Sequence, residues 1–166
     1  KQAKDILIKH IKPLQMPYIT ERWPGGMLTN FVTIRRAVKK MATIDRMKQD
    51  GTISTLSKRE RLQVDRKREK LERDLGSISD MNRLPGALFV VDIMKEKIAV
   101  LEAKKLGIPT FAMVDTNSDP NLVDFPIPSN DDASKSIDTV LSYVASTINE
   151  SLNERVAEKN SKDKTE

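Results

Sequence analysis

The 166-residue chain carries 29 Lys and Arg against 24 Asp and Glu, a formal net charge of +5, and 38% of its residues are hydrophobic. It contains no cysteine, which excludes disulfides, Cys-bound zinc, iron–sulfur clusters and thiol catalysis. A single histidine, His10, excludes a His-rich metal site. No apolar run approaches the ~20 residues of a membrane span, so we expect no membrane partner.

The first apolar pattern predicts an amphipathic helix over residues 2–12. Its inner face consists of Ala3, Ile6, Leu7 and Ile11. A helix of this kind needs an apolar surface to pack against, so we expect that further sequence precedes residue 1. Two prolines, Pro13 and Pro17, close this helix, and Tyr18–Thr20 is a candidate for a short strand.

The next segment is a loop that combines aromatic, basic and glycine residues. It contains, in order, Arg22, Trp23, Pro24, Gly25 and Gly26. Glycine lets a backbone come close to another molecule, and Asn30 is a suitable cap for the helix that follows. Trp23 has two interpretations that the sequence leaves open, an anchor of the core or a ring packed on a partner.

Two amphipathic helices follow, with a turn after Gly51. Phe31, Ile34, Val38 and Met41 have the 3–4–3 spacing of a coiled-coil seam. The second helix opens with the capping box Ser57–Glu60 and runs to about Leu75, with Arg61 and Arg68 at inner positions. We predict that residues 27–78 form an antiparallel coiled-coil hairpin.

Positive charge is concentrated in this hairpin. Residues 27–78 hold 14 basic and 7 acidic side chains, a net of +7, whereas residues 79–166 hold 10 basic and 15 acidic ones, a net of −5. This asymmetry favours contact with a nucleic acid over the alternative, a solvated hairpin whose cations only maintain solubility. The candidate binding side chains on the hairpin are Arg35, Arg36, Lys39, Lys40, Lys58 and Arg59.

After residue 84 the pattern changes to alternating strands and helices. Residues 87–92 form an apolar run typical of a buried parallel strand, and residues 109–115 and 125–127 are two further strand candidates. A helix is predicted over residues 95–106, with Ile98, Ala99, Leu101 and Leu106 on its inner side. This alternation predicts an α/β body with a parallel sheet, formed by residues 1–26 and 79–153.

The last predicted helix is long, and a polar tail follows it. Asn130 caps this helix, and Asp131 and Asp132 lie in its first turn, where the helix dipole favours anions. Residues 154–166 contain few apolar side chains, so we predict a disordered tail.

Carboxylates cluster where the predicted strands end. They are Asp92, Asp115, Asp119, Asp131 and Asp132. Ligands of α/β sheets bind at this edge, so the group could surround Mg²⁺ or a sugar phosphate. Asp and Asn are also ordinary turn formers, and we favour the interpretation that they only shape the turns.

Four linked motifs carry a resemblance to a known family. They are the segment from Arg22 to Arg36, residues 84–92 with Leu106–Pro109, the turn Asp115–Pro120, and residues 127–133. Together they resemble the bacterial small-subunit ribosomal protein two family over residues 1 to about 152. Pro24 stands where that family more often has a bulky aliphatic residue.

The resemblance implies an α/β fold in three layers, α/β/α, around a parallel sheet and with the helical hairpin inserted. It implies a structural constituent of the small ribosomal subunit, without a catalytic site, metal or cofactor, that is located on the ribosome in the cytoplasm. Its partners would be small-subunit ribosomal RNA and neighbouring small-subunit proteins. RNA would be bound by the hairpin residues named above together with Arg22, Trp23, Gly25, Gly26 and Asn30. It also implies that an N-terminal part of the fold, including a strand, precedes this sequence.

A sugar-phosphate- or nucleotide-binding enzyme is the alternative function. It would use the carboxylates at the strand ends. However, the strand–helix turn after Asp92 has no glycine to cradle a phosphate, and this alternative leaves the basic hairpin unexplained.

Overall fold

The computed structural model describes residues 2–162, with side chains over residues 3–157. Five helices and three strands follow one another in this range. They are α1 (Gln2–Ile11), α2 (Phe31–Gln49), α3 (Lys58–Leu75), β1 (Leu88–Val91), α4 (Lys97–Leu106), β2 (Thr110–Val114), β3 (Phe125–Pro128) and α5 (Ser134–Lys162). No helix among the described residues is long and apolar enough to cross a bilayer.

The three strands form a parallel sheet in the order β1-β2-β3. Val90 pairs with Ala112, and Ala112 with Pro126. Because side chains alternate along a strand, each face of the sheet has its own core. Val90, Ala112 and Val114 pack with Val100 of α4, whereas Met113 packs with Ile137 and Leu141 of α5 and with α1. The body therefore has the predicted α/β/α layers.

Helices α1 and α5 are joined by polar contacts as well as by the core. His10 Nε2 lies 2.8 Å from Asp138 Oδ1, and Lys9 Nζ reaches the same oxygen at 3.0 Å. These contacts lower the pKa of the Asp138 carboxyl, His10 acting more strongly than Lys9. His10 thus ties two helices of one layer together.

The helices α2 and α3 form a hairpin. Arg68 pairs with Asp45 at 2.8 Å, and Lys48 with Asp65 at 2.6 Å, so later residues of α2 face earlier residues of α3 and the helices are antiparallel. The inner Arg61 donates to the carbonyl groups of Leu56 and Ser54 at the tip. The predicted capping box of α3 is present. Supercoiling of the pair stays a prediction.

A large cavity of about 1840 Å³ borders β1. It is lined by β1 itself, by Tyr18–Thr20, and by apolar side chains of α1 and α5. Tyr18–Thr20 is not a strand, which corrects the prediction. A strand needs a hydrogen-bonded neighbour, and the Tyr18 carbonyl instead accepts the Ser77 hydroxyl.

Three other expectations about the second half are wrong. Ile98, Leu101 and Leu106 of α4 are exposed, and its buried residues are Ala99, Val100, Glu102 and Ala103. Helix α5 begins at Ser134, so Asp131 and Asp132 precede it; Asn130 accepts the N–H groups of Asp132 and Ala133 in the preceding turn. This helix continues to Lys162 through a stretch without glycine or proline, where a disordered tail was expected. Residues 163–166 lie outside the described part.

Candidate nucleic-acid interface

The loop between the body and the hairpin is held as a compact turn. The Asn30 N–H donates to the Gly26 carbonyl at 2.9 Å, and the Met27 N–H to the Pro24 carbonyl at 3.2 Å. Met27 and Leu28 are buried on opposite sides, Met27 against the base of the hairpin and Leu28 against α4. The loop is therefore an integral part of the junction between the hairpin and the α/β body.

Glu102 of α4 fastens this loop. Its carboxylate accepts the N–H groups of Gly26 at 2.6 Å, Leu28 at 2.8 Å and Thr29 at 3.1 Å, and the residue is only 8% exposed. Burial by itself would raise the pKa of Glu102, but these backbone donors outweigh it and lower the pKa. A buried anion from a distant helix thus holds the loop, a role that the sequence analysis did not predict for Glu102.

The two loop glycines have different roles. Gly26 has a φ of +87°, and a Cβ built there would lie 3.3 Å from the Asn30 Cβ. A Cβ at Gly25 would have no neighbour within 4 Å among the described atoms. Gly26 is therefore required by the turn itself, whereas Gly25 leaves open space at the surface.

Trp23 is an anchor of the core, so the first of its two interpretations holds. Its side chain packs against two core clusters, that of Met27, Leu75 and Ile78 at the hairpin base and that of Leu28, Ala103 and Ile108 beside α4. Its indole Nε1 is buried and has no hydrogen-bond partner among the described residues. The ring joins the hairpin to the body.

Two further residues predicted to bind RNA, Arg35 and Asn30, form hydrogen bonds within the protein. The Arg35 guanidinium donates to the Met81 carbonyl at 3.2 Å and to the Asn82 side chain, which ties α2 to the segment after the hairpin. The Asn30 side chain accepts the Thr33 hydroxyl at 2.8 Å. Arg22, by contrast, is exposed beside the loop.

The other three candidate cations on α2, Arg36, Lys39 and Lys40, are exposed and form part of a basic face. Arg36 and Lys40 are four residues apart and share one side of the helix, and Lys39 lies next to them. Contact with the Lys40 ammonium lowers the pKa of Lys67 on α3, so the two side chains lie close together across the hairpin. We define the basic face as Arg36, Lys39, Lys40 and Lys67. Within the described part of the chain, none of these four forms an ion pair.

Lys58 and Arg59 are also exposed, but they lie at the far end of the hairpin. Helix α2 has 19 residues, so the tip is about 28 Å from the loop. The predicted residues are therefore spread along the hairpin from the loop to the tip, and they do not form one compact site. A spread of this length suits an extended polyanion.

The carboxylates at the strand ends are occupied by local contacts. Asp92 binds Lys95 Nζ at 2.5 Å, Asp115 accepts the N–H groups of Thr116 and Asp131, and Asp119 accepts that of Asn121. Among the residues that the structure describes, no group of three acidic or histidine side chains is arranged to hold a metal. The turn-forming interpretation describes this edge.

Asp131 is the exception at this edge. It is 6% exposed, and its buried Oδ2 has no partner among the described residues. Burial raises its pKa, and the nearby carboxylates of Asp92, Asp115 and Asp132 raise it further. The site destabilises the charged form of this side chain.

Comparison with known proteins agrees with the resemblance seen in the sequence. The family profile described as "Ribosomal protein S2" matches residues 1–151. The chain is 70% identical over 159 residues to the small ribosomal subunit protein uS2 of Flavobacterium johnsoniae, covering 96% of this chain and 63% of that protein.

Two further uS2 proteins show the same pattern. That of Christiangramia forsetii is 71% identical over 158 residues (95% of this chain, 53% of the relative), and that of Porphyromonas gingivalis is 65% identical over 159 residues (96% and 57%). The chain thus spans between about half and two thirds of the length of these relatives. It belongs to the ribosomal protein S2 family.

Proposed function

We propose that this chain is a structural constituent of the small ribosomal subunit and serves translation on the ribosome in the cytoplasm. Its partners are small-subunit ribosomal RNA and neighbouring small-subunit proteins, and it performs no catalysis. The relatives are named as components of that subunit, which supports the assignment. The enzyme alternative is disfavoured, because Asp92, Asp115 and Asp119 accept hydrogen bonds within the turns and the turn after Asp92 has no glycine to cradle a phosphate.

The basic face is the observation that carries RNA binding. Lys40 and Lys67 lie close enough for mutual repulsion to lower the pKa of Lys67, yet neither has an acidic partner among the described residues. An RNA phosphate placed between them would relieve that repulsion. Other cations of the hairpin, such as Arg68 and Lys48, already have carboxylate partners.

The proposed RNA-binding residues have two roles. Arg22, Arg36, Lys39, Lys40, Lys58 and Arg59 contact phosphates directly, because all six are exposed. Gly25 lets RNA approach the loop. Trp23, Gly26, Asn30 and Arg35 act by holding the loop and the hairpin base in place.

The experiment is the salt dependence of affinity for fragments of small-subunit ribosomal RNA. Each phosphate contact contributes about 0.7–0.9 to the slope of log affinity against log salt. Replacing Arg36, Lys39 and Lys40 with Gln should therefore reduce the slope by about 2–3.

The matched control removes three exposed lysines of the body, with Lys97, Lys104 and Lys105 replaced by Gln. This variant loses the same charge and should keep the parental slope. A parental slope in the hairpin variant, or an equal loss in both variants, would place RNA elsewhere.

A further inference from the structure

The outer surface of α3 carries a row of cations that the basic face does not include. Arg59, Arg66 and Lys70 are all exposed. Spacings of seven and four positions place them on one side of the helix, over a length of about 16 Å. Among the described residues, none of the three forms an ion pair. We call these three residues the outer row.

The outer row points away from α2 and adjoins the basic face. Arg68 turns towards α2, where it pairs with Asp45 at 2.8 Å. Arg66 and Lys70 are each two positions from Arg68, about 200° around the helix, so they lie on the opposite side of α3. Lys70 is also three positions after Lys67 of the basic face, a spacing that makes the two side chains neighbours. The positive surface therefore continues from α2 over Lys67 to the outside of α3.

The carboxylates of α3 lie on another flank of the helix. Asp65, Glu69 and Glu72 follow one another at spacings of four and three positions, and we call them the acidic row. Lys48 of α2 pairs with Asp65 at 2.6 Å, and Arg68 pairs with Glu72 at 3.4 Å. Two of these three acids are therefore engaged in the hairpin's own ion pairs, and the outer row is left without a carboxylate partner in the described part of the chain.

The outer row has the properties of a binding surface for a polyanion. Arg66 and Lys70 are like charges four positions apart, an arrangement that destabilises a helix. A phosphate backbone would offset this repulsion along the whole row, because it carries one negative charge per nucleotide. An acidic protein surface would also match the charge. However, Leu62 is the single large apolar side chain that is exposed on α3, whereas a protein interface is built around an apolar centre.

We propose that the outer row binds the phosphate backbone of small-subunit RNA, so that the RNA contact passes from the basic face over the outside of α3 and leaves the acidic row free. The proposal rests on the proposed function, because it takes the same RNA as the partner. It adds Arg66 and Lys70 to the phosphate contacts, and it specifies which flank of the hairpin the RNA covers.

The first test compares the salt dependence of RNA affinity in two variants that lose the same charge. Replacing Arg66 and Lys70 with Gln should reduce the slope of log affinity against log salt by about 1.4–1.8, which is 0.7–0.9 for each phosphate contact. Replacing Lys104 and Lys105 of α4 with Gln is the matched control and should keep the parental slope. The outer-row variant should also melt no lower than the parent, since it removes a repulsive pair. An unchanged slope, or a lower melting temperature that accompanies the loss of slope, would overturn the proposal.

The second test is photo-cross-linking in small subunits isolated from cells. Gln63 is exposed and lies within the outer row, four positions after Arg59 and three before Arg66. A photoreactive benzoylphenylalanine at Gln63 should cross-link to ribosomal RNA, whereas the same group at Glu72 of the acidic row should give little or no RNA cross-link. RNA cross-links of equal yield from the two positions, or from Glu72 alone, would overturn the proposal.

The proposed function and the outer row can fail separately. If the Arg36, Lys39 and Lys40 variant loses slope while the outer-row variant keeps the parental slope, the outer row does not bind RNA and the proposed function stands. If both variants keep the parental slope, the result counts against the proposed function as well.

Discussion

The Glu102 carboxylate accepts the Gly26 N–H at 2.6 Å, across 76 positions of the sequence. This contact joins the loop before the hairpin to helix α4, which follows the hairpin in the sequence. Two further amides bind the same carboxylate, so Glu102 holds the loop from which the hairpin leaves the body, together with Trp23 and Arg35.

Replacing Glu102 with Ala should therefore destabilise the protein and release the loop. One buried and two partly buried N–H groups lose a charged acceptor, which corresponds to about 3 kcal/mol of unfolding free energy. Urea denaturation measures this loss, and hydrogen exchange at Gly26, Leu28 and Thr29 reports on the loop. Glu96→Ala, at the residue just before the same helix, is the control and should leave exchange at these amides unchanged. Slow exchange in Glu102→Ala would show that other contacts hold the loop.

The same contact predicts a dependence on pH. The pKa of Glu102 is lowered in the folded state, so its stabilisation is complete above about pH 4.3, the unfolded-state value, and is lost as the pH falls through the lower folded-state pKa. The stability difference between the parent and Glu102→Gln should shrink over that acidic range. A difference that grows on acidification would contradict the assignment.

The two loop glycines, Gly25 and Gly26, provide a further prediction. Gly26→Val should lower stability by about 1–3 kcal/mol, because valine does not tolerate a φ of +87°. Gly25→Val should melt at nearly the parental temperature and yet bind RNA more weakly, since the open space above Gly25 becomes filled. Thermal melting and RNA affinity, measured on both variants, separate the roles. Equal melting temperatures for the two variants would refute the distinction.

The neighbouring Arg35 and Arg36 are expected to differ in their effects on stability and on RNA binding. Arg36→Gln removes an exposed cation and should reduce the salt slope by about 0.7–0.9 without loss of stability. Arg35→Gln should instead lower stability, because the Arg35 guanidinium bonds to Met81 and Asn82. An Arg35→Gln protein that keeps its stability but shows a smaller salt dependence of RNA affinity would indicate that Arg35 contacts a phosphate.

Asp131 predicts a variant that is more stable than the parent. Its pKa is raised in the folded state, so its charge lowers stability fully above that pKa, and this penalty disappears below about pH 3.9. Asp131→Asn should raise the melting temperature at pH 7 by about 2–4 °C, equivalent to ~1 kcal/mol. The gain should vanish at low pH. Asp132→Asn, at an exposed neighbour, is the control, and an equal gain there would point to a general charge effect.

Much of the architecture could be predicted from the sequence. The hairpin, its capping box and the three parallel strands follow from spacing, because each pattern is satisfied by its own segment. The orientation of α4 could not be predicted in this way. Ile98 and Leu101 repeat at a helical interval just as Ala99 and Ala103 do, and hydrophobicity alone favours burying the larger pair. The loop packs close to α4, so the small Ala99 and Ala103 are buried and Ile98 and Leu101 are exposed instead.

The role of Glu102 also lay beyond sequence reasoning. A glutamate among lysines on a helix is normally exposed, since a buried carboxylate requires several donors. Those donors are backbone groups of a distant loop, which no side-chain pattern reveals. The flanking Ala99 and Ala103 are the one available signal, because two small residues beside an acid mark a place where another backbone approaches.

RNA is expected to lie on the hairpin and the adjoining loop, and not on helix α4. Acylation of lysines, followed by mass spectrometry, tests this within one sample of the chain, with and without small-subunit ribosomal RNA. RNA should slow the reaction severalfold at Lys39, Lys40 and Lys67, and it should leave the rates at Lys97, Lys104 and Lys105 unchanged. Protection of the α4 lysines without protection of the hairpin lysines would contradict the account.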